Sequence, residues 1–332
     1  MSASSACAAA AAAAAKTASW THALTSPSGL TVLRHLPSGL TFSPAHKGAF
    51  VGTAPGSIWG DFGRSCPASN TIIANNSLHL SSSCSNNNSS NENIKEKAAP
   101  QVAVVETAVS GSFQSYGEQA GLLLYANQST WVKLVLECMK DGVTRVVFAK
   151  SEAGTGPAVT AKIDSPAAQG QGLTAALRLT VTEAGAADVA EAATTVTVTA
   201  EVKVALDANA QGYTTVVNAT DIDCDAAVPG AGMPAVAVSD LGEVLAGVEW
   251  ATIGATQLPS LASTTSASGS GSGDAAATAA EVVTVGGVVT TVVDLDGSEF
   301  KAGLMAHGAP AEANRATLFR YLTVSGDGES KA

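Results

Sequence analysis

The segment from Gly117 to Glu137 constrains the fold more than any other part of the chain, because two apolar runs there flank a short polar stretch. This pattern is typical of a β-hairpin. Side chains alternate between the two faces of a strand. One face therefore collects only apolar residues, namely Ala120, Leu122, Leu124, Val132, Leu134 and Leu136. The other face mixes types, with Gln119, Gly121, Leu123, Tyr125, Trp131, Lys133, Val135 and Glu137. The first face predicts a core, and the second a ligand surface or a second packing layer.

The same alternation fixes how the strands pair. The predicted register places Tyr125 opposite Trp131, Leu123 opposite Lys133 and Gln119 opposite Glu137. After a turn at 140–142, in which Gly142 takes the left-handed conformation, a third strand places Arg145 opposite Glu137 and turns Val146 and Phe148 to the apolar face. A slip of one residue would bury Arg145, so the pattern specifies its own register. We predict a three-stranded meander.

The rest of the chain favours an all-β fold. Apolar and polar residues alternate over 175–182, valine alternates with threonine or charged residues over 194–206, and a Gly286-Gly287 turn separates two further short strands. The segment 240–250 fits either a short helix or a strand. A chain of 332 residues can form one large sandwich. The sequence therefore predicts a two-layer antiparallel jelly-roll sandwich with long low-complexity loop insertions.

Composition suggests the domain boundaries. Residues 1–16 are almost entirely alanine and serine, which fits a disordered tail, a transit peptide or a secretion signal. A single sandwich is expected over 17–325, followed by a disordered tail at 326–332. Flexible insertions are expected at 81–99, 151–172 and 260–280. A cytoplasmic location is favoured, a plastid or another organelle is the alternative, and secretion is less expected.

Charge and cysteine content exclude several classes of function. The net charge is −11, which argues against nucleic acid or an anionic membrane surface as a partner. A sugar or another neutral or cationic small ligand is compatible. No apolar run is long enough to span a bilayer. The five cysteines lack zinc-ligand spacing, and we expect them to be reduced and structural.

The mixed face of the hairpin is the best candidate for a ligand site. Tyr125 and Trp131 could stack on the apolar face of a sugar ring, while Gln119, Lys133, Glu137 and Arg145 could bind its hydroxyl groups. The alternative is that Glu137 pairs with Arg145 and the aromatic rings cover a sheet edge. No catalytic residue is predicted, because the sequence has no nucleophile motif and no histidine with a partner at metal or triad spacing.

Two acidic segments could hold calcium. Asp221, Asp223 and Asp225 offer three carboxylates on one side of an extended chain, and carboxylate oxygens are calcium ligands. An exposed acidic loop is the favoured interpretation, with calcium as the alternative and glycosidic catalysis as a third. The segment 294–299 reads as an ordinary turn at Asp296-Gly297. No other cofactor is expected.

The hairpin also resembles a known group of domains. A Gly-Glu-Gln-Ala-Gly-Leu strand followed by Trp-Val-Lys-Leu-Val-Leu-Glu is similar to the concanavalin A-like regulation-of-enolase (YesU-like) family and to the C-terminal domain of β-xylosidases. The matching residues are Tyr116, Gln119, Ala120, Gly121, Leu122, Trp131, Lys133 and Glu137. Asn127-Gln128-Ser129 replaces the family's acidic tip. The strands near 300–306 and 316–324 resemble the closing strands of the same fold.

The resemblance implies a jelly roll and adds Tyr116 to the candidate ligand-binding residues. The leading hypothesis is a non-catalytic module that binds a carbohydrate or a small polar ligand on the concave sheet. A protein-interaction or regulatory domain without a glycan site is the first alternative, and a protein related to glycoside hydrolases is the second.

Overall fold

A computed structural model describes most of the predicted sandwich. The described residues are 19–26, 28–33, 40–52, 71–78, 102–127, 129–152, 155–183, 195–211, 213, 237–259, 281–285, 288–292, 300–308 and 315–326. The expectations for 1–16, 81–99, 260–280 and 327–332 concern residues outside these ranges, and so do those for Asp221, Asp223, Asp225 and 294–299.

The strands form two large sheets. The eight-stranded sheet contains β1 (Trp20–His22), β3 (Leu40–Ser43), β4 (Gly48–Gly52), β6 (Val102–Ser112), β11 (Gly172–Glu183), β12 (Thr195–Leu206), β13 (Ala251–Pro259) and β17 (Ala316–Gly326). The seven-stranded sheet contains β2 (Leu30–Leu33), β5 (Thr71–Leu78), β7 (Gln119–Asn127), β8 (Thr130–Cys138), β9 (Val143–Glu152), β10 (Gly156–Ala168) and β16 (Phe300–His307). A separate hairpin joins β14 (Glu281–Val285) to β15 (Val288–Val292).

Strand order is not sequence order. The larger sheet runs β13-β12-β11-β6-β17-β4-β3, and β1 also pairs with β17. The smaller sheet runs β10-β9-β8-β7-β16-β5-β2. All the described pairs are antiparallel. The predicted all-β, two-layer antiparallel sandwich is therefore confirmed.

The hydrophobic core lies between the two sheets. Leu122, Leu134 and Phe148 of the smaller sheet are fully buried in one cluster with Val105, Leu177 and Val198 of the larger sheet. Burying each of these large side chains contributes roughly 1.5–3 kcal/mol relative to leaving it exposed. The six residues predicted to form the apolar face of the hairpin all belong to this cluster, as do Val146 and Phe148.

The predicted meander is confirmed in its register. Tyr125 pairs with Trp131, Leu123 with Lys133 and Gln119 with Glu137, and Arg145 lies opposite Glu137. Gly142 has φ of 78° in the turn between β8 and β9. Local alternation was therefore sufficient to place three neighbouring strands.

The structure differs from the sequence-based expectation at 151–172. That segment was expected to be a flexible insertion, but β9 extends to Glu152 and β10 occupies Gly156–Ala168. β10 is an edge strand with mostly exposed side chains. The Gly/Pro/Ala composition of this segment is typical of loops, and only the second half of β10, where Ala161 and Ile163 pack against the core, alternates between inward and exposed residues.

Helical structure is sparse among the described residues. A 3₁₀ turn spans Ala208–Ala210, and one short helix, α1, spans Leu241–Val244 within the segment that sequence left undecided. Asp240 caps α1 by accepting hydrogen bonds from the backbone of Gly242 and Glu243. In the described part of the chain, no helix has the length and apolar character needed to cross a membrane.

β7 and β8 approach each other closely at Gly121. A β-carbon at this position would lie 2.3 Å from the backbone oxygen of Leu134 and 2.7 Å from the α-carbon of Val135. We expect Gly121→Ala to lower the free energy of unfolding by about 1–3 kcal/mol, because backbone atoms must move. Urea denaturation measures the change.

Gly111→Ala is the matched control for this prediction. Its β-carbon would meet the Thr317 hydroxyl at 3.3 Å, a side-chain contact that can adjust. Equal losses of stability in the two variants would contradict the proposed close approach at Gly121.

Candidate functional site

A row of polar side chains crosses the outer face of the seven-stranded sheet near one end of its strands. Strand pairing aligns His307 of β16, Gln119 of β7, Glu137 of β8, Arg145 of β9 and Asp164 of β10. Gln119 and His307 are each 1% exposed, and Glu137 is 9% exposed. This row lies on the side of the sheet that faces away from the core.

Lys133 reaches this row from a position four residues before Glu137 on β8. Its Nζ donates a hydrogen bond to Gln119 Oε1 at 2.5 Å and lies 3.5 Å from Glu137 Oε2. The side chain is fully buried. Desolvation lowers the pKa of Lys133 to about 8, although the Glu137 carboxylate acts in the opposite direction. The polar trio formed by Gln119, Lys133 and Glu137 is the part of the predicted site that the fold brings together.

The two predicted aromatic residues lie at the opposite end of the hairpin from Gln119 and Glu137, although Trp131 is only two residues from Lys133 on β8. Tyr125 is six residues from Gln119 along β7, which corresponds to roughly 20 Å of extended strand. Tyr125 and Trp131 are 3% and 1% exposed and pack in a second apolar cluster with Leu123, Val135 and Met305. Their ring faces are thus occupied by packing, and in this structure they form the apolar half of the outer face.

Arg145 forms different ion pairs from the one that sequence suggested. Its guanidinium contacts Asp141 Oδ2 at 2.7 Å and Asp164 Oδ1 at 2.6 Å. The hydrogen bond from Arg145 lowers the pKa of Asp141. Glu137, although directly opposite Arg145, contacts Lys133 instead. The suggested Glu137–Arg145 ion pair is not the one formed, because Asp141 and Asp164 engage the guanidinium at the exposed edge.

Tyr116 stands on a well-anchored turn at the same end of the sheet. The neighbouring Glu118 carboxylate is buried, and its Oε2 accepts hydrogen bonds from the backbone of Gln114 and Ser115. Arg315 donates to both oxygens of Glu118 at 2.8 Å. Such bidentate, charge-assisted contacts are strong and directional. They hold a turn on which Tyr116 is 68% exposed.

Three functional candidates escaped the sequence analysis. His307 appeared isolated in sequence, yet β16 places it beside Gln119. Glu118 and Arg315, which anchor the Tyr116 turn, lie far apart in the chain. The position of His307 could be predicted only in part. The segment 300–306 was expected to be a closing strand, but nothing in the sequence specified that it would pair with β7.

The described residues contain no group of three or more histidine, cysteine, aspartate or glutamate side chains arranged to hold a metal ion. The candidate calcium ligands Asp221, Asp223 and Asp225 lie outside the described residues and remain predictions. Cys138 is the one cysteine that the structure describes, and it is a buried free thiol. Its burial raises the pKa of the thiol.

Comparison with known proteins places this site in a familiar class of fold. Residues 75–215 match the family described as the β-xylosidase C-terminal concanavalin A-like domain. Together with the antiparallel two-sheet architecture, this match identifies the fold as a concanavalin A-like jelly roll. The predicted β-xylosidase resemblance is supported over this segment, and the likeness to the regulation-of-enolase family stays a prediction.

Several solved structures are similar at low sequence identity. The GH43 protein BlXynB from Bacillus licheniformis is 10% identical, with 92% of this chain and 38% of that chain covered and a TM-score of 0.44. The xylan β-1,4-xylosidase of Bacillus halodurans is 10% identical, with 87% of this chain and 35% of that chain covered and a TM-score of 0.40. Peanut lectin is 9% identical, with 95% of this chain and 100% of that chain covered and a TM-score of 0.32. The chain thus spans little more than a third of the two bacterial proteins. No curated protein matches it.

The buried Lys133 amine predicts a distinctive pH dependence of stability. Its pKa is about 8 in the folded protein and about 10.4 in an unfolded chain. Between these values the unfolded state binds more protons, so this residue makes wild-type stability rise with pH. Lys133→Met lacks that rise. We expect the stability of the variant relative to wild type to fall by about 3 kcal/mol from pH 8 to pH 10.4.

Urea denaturation across this pH range, with Lys162→Met as control, measures the effect. Lys162 is an exposed lysine on β10, so its replacement should shift stability by an amount that does not depend on pH. A Lys133→Met difference that stays constant with pH would contradict the lowered pKa.

Proposed function

We propose that this protein is a non-catalytic binding module for a carbohydrate or a small polar ligand, which it holds on the outer face of the seven-stranded sheet. The observation that carries the proposal is the polar trio of Gln119, Lys133 and Glu137, which lies outside the intersheet core. It brings an amide, an ammonium group and a carboxylate together on one sheet face, and Glu137, at 9%, is the most exposed of the three residues. This combination can donate to and accept from the hydroxyl groups of a sugar.

The placement of the trio favours a binding role over a purely structural one. Burying an amine and a carboxylate costs free energy that partner hydrogen bonds only partly recover. An all-apolar outer face, like the one around Trp131, would cover this sheet without that cost. A lysine whose pKa is lowered by burial, held beside a carboxylate, is typical of functional sites. The match to a β-xylosidase C-terminal domain supports a glycan as the class of ligand.

The predicted ligand residues take different roles in this proposal. Tyr116 supplies the accessible aromatic ring, since it is 68% exposed. Arg145 lies at the rim beside the trio. Tyr125 and Trp131 support the sheet from their apolar cluster rather than contact the ligand. Because truncation of a buried tryptophan costs about 3–5 kcal/mol, Trp131→Ala reports on folding and is a poor probe of binding.

A glycan-array screen of wild type, Tyr116→Ala and Glu137→Gln tests the proposal, with and without calcium. We expect wild type to bind at least one glycan and both variants to bind it at least about tenfold more weakly, which corresponds to roughly 1.4 kcal/mol. Each variant would lose one direct contact with the glycan, from the Tyr116 ring in one case and from the Glu137 carboxylate in the other. Calcium dependence would direct attention to Asp221, Asp223 and Asp225.

Val159→Ala is the control for removing an exposed apolar side chain. Val159 is 52% exposed and lies on edge strand β10, two strands away from Lys133. Binding should be unchanged in this variant. A folded wild type that binds no glycan, or glycan binding that survives both site variants, would contradict the proposed function.

A further inference from the structure

The outer face of the eight-stranded sheet carries a second polar row, unrelated to the one around Lys133. Strand pairing aligns Thr323 of β17, Glu106 of β6, Arg178 of β11, Glu201 of β12 and Thr252 of β13. Each of these positions faces away from the intersheet core. The Glu106, Arg178 and Glu201 side chains are 23%, 28% and 25% exposed, so all three are accessible to solvent.

Hydrogen bonds hold the charged groups of this row in fixed positions. Arg178 Nε donates to Glu106 Oε2 at 3.0 Å, and its Nη1 lies 3.8 Å from Glu201 Oε2. The hydroxyl of Tyr321 donates to the other Glu106 oxygen at 2.9 Å. A surface whose polar groups are held by one another is preorganised for a ligand, since little side-chain freedom is lost on binding.

Trp250 lies across this row. The Arg178 guanidinium carbon is 3.8 Å from the centre of the indole ring, and Lys203 Nζ is 5.3 Å from it. These distances are typical of cation–π contacts. Trp250 directly precedes β13, whose first residue, Ala251, pairs with Val202. Arg178 lies on β11 and Lys203 on β12, which are neighbours in the sheet, and the Trp250 side chain that contacts both cations is partly exposed.

The charges around Trp250 define which ligands fit. Arg178 and Lys203 contribute two positive charges, and Glu106 and Glu201 contribute two negative charges, so the patch is neutral overall. A neutral patch offers no electrostatic advantage to a nucleic acid or a strongly charged peptide. The partly exposed Trp250 ring lies near hydroxyl, carboxylate and ammonium groups. This combination suits a ligand with one apolar face and many hydroxyl groups.

We infer that the patch formed by Glu106, Arg178, Glu201, Lys203, Trp250 and Tyr321 binds a neutral oligosaccharide. A pyranose whose substituents are equatorial presents a flat C–H face, which packs on the exposed part of the Trp250 ring. Glu201 and Glu106 accept hydrogen bonds from the hydroxyl groups, and Lys203 donates one. This site is separate from the proposed site at the polar trio and does not depend on it.

Calorimetric titration of the full chain with cellohexaose, whose glucose units are all equatorially substituted, tests the inference. Trp250→Ala should weaken binding at least about tenfold, as loss of a central aromatic contact does. Trp250→Phe should retain most of the affinity because a ring remains. Val159→Ala, which removes an exposed apolar side chain from the seven-stranded sheet, should bind like wild type. A β-1,4-galactan oligosaccharide, with its axial substituent, should bind more weakly than cellohexaose.

A second measurement does not depend on any variant folding. N-bromosuccinimide oxidises accessible indoles, and mass spectrometry locates the modified residues. Saturating cellohexaose should protect Trp250 of the wild type. Trp131, which is 1% exposed, should remain unmodified with or without sugar.

Three outcomes would overturn the inference. One is a folded wild type that fails to bind cellohexaose. Another is binding that survives in Trp250→Ala but is lost in Tyr116→Ala, which would leave the proposed function standing. The last is preference for an anionic polymer such as polygalacturonate. Conversely, loss of binding in Trp250→Ala alone would support this site even if the polar trio binds nothing.

Discussion

Packing between the two sheets is the constraint on which the rest of the structure depends. Leu122, Leu134 and Phe148 must face the opposite sheet, and strand alternation then fixes the direction of every neighbouring side chain. Gln119, Lys133 and Glu137 lie on the outer face because the intervening residues are committed to the core. The same reasoning applies to Glu106, Arg178 and Glu201 on the larger sheet. Both polar rows are consequences of a register that apolar packing selects.

The sequence was sufficient for features that depend on neighbouring strands. The pairing of Tyr125 with Trp131 and of Gln119 with Glu137 follows from one hairpin and its alternation. Sequence was insufficient where distant strands meet. Nothing local to His307 indicates that it lies beside Gln119. β10 was missed because its Gly/Pro/Ala composition is typical of loops and its alternation is confined to its second half, around Ile163.

The candidate site shows the same limit. Alternation correctly assigned Trp131 and Lys133 to the outer face, but it could not state whether that face is covered. Both side chains prove to be almost fully buried. A partly exposed indole near charged groups is found instead at Trp250, in a segment whose secondary structure the sequence left open. The position of Trp250 over Arg178 depends on contacts among β6, β11 and β12, which only the fold defines.

The position of β16 and β17 has a consequence for how this chain folds. β16 lies between β7 and β5, and β17 lies between β6 and β4, although both follow all the other strands in sequence. Neither sheet can close until these strands arrive. Domains dominated by such distant pairings fold slowly. Until β16 and β17 have been synthesised, β4, β5, β6 and β7 each have an unpaired edge. Unpaired strand edges are prone to aggregation. The meander β7–β9 pairs only strands that are adjacent in sequence, whereas β16 and β17 join strands that lie far apart in the chain.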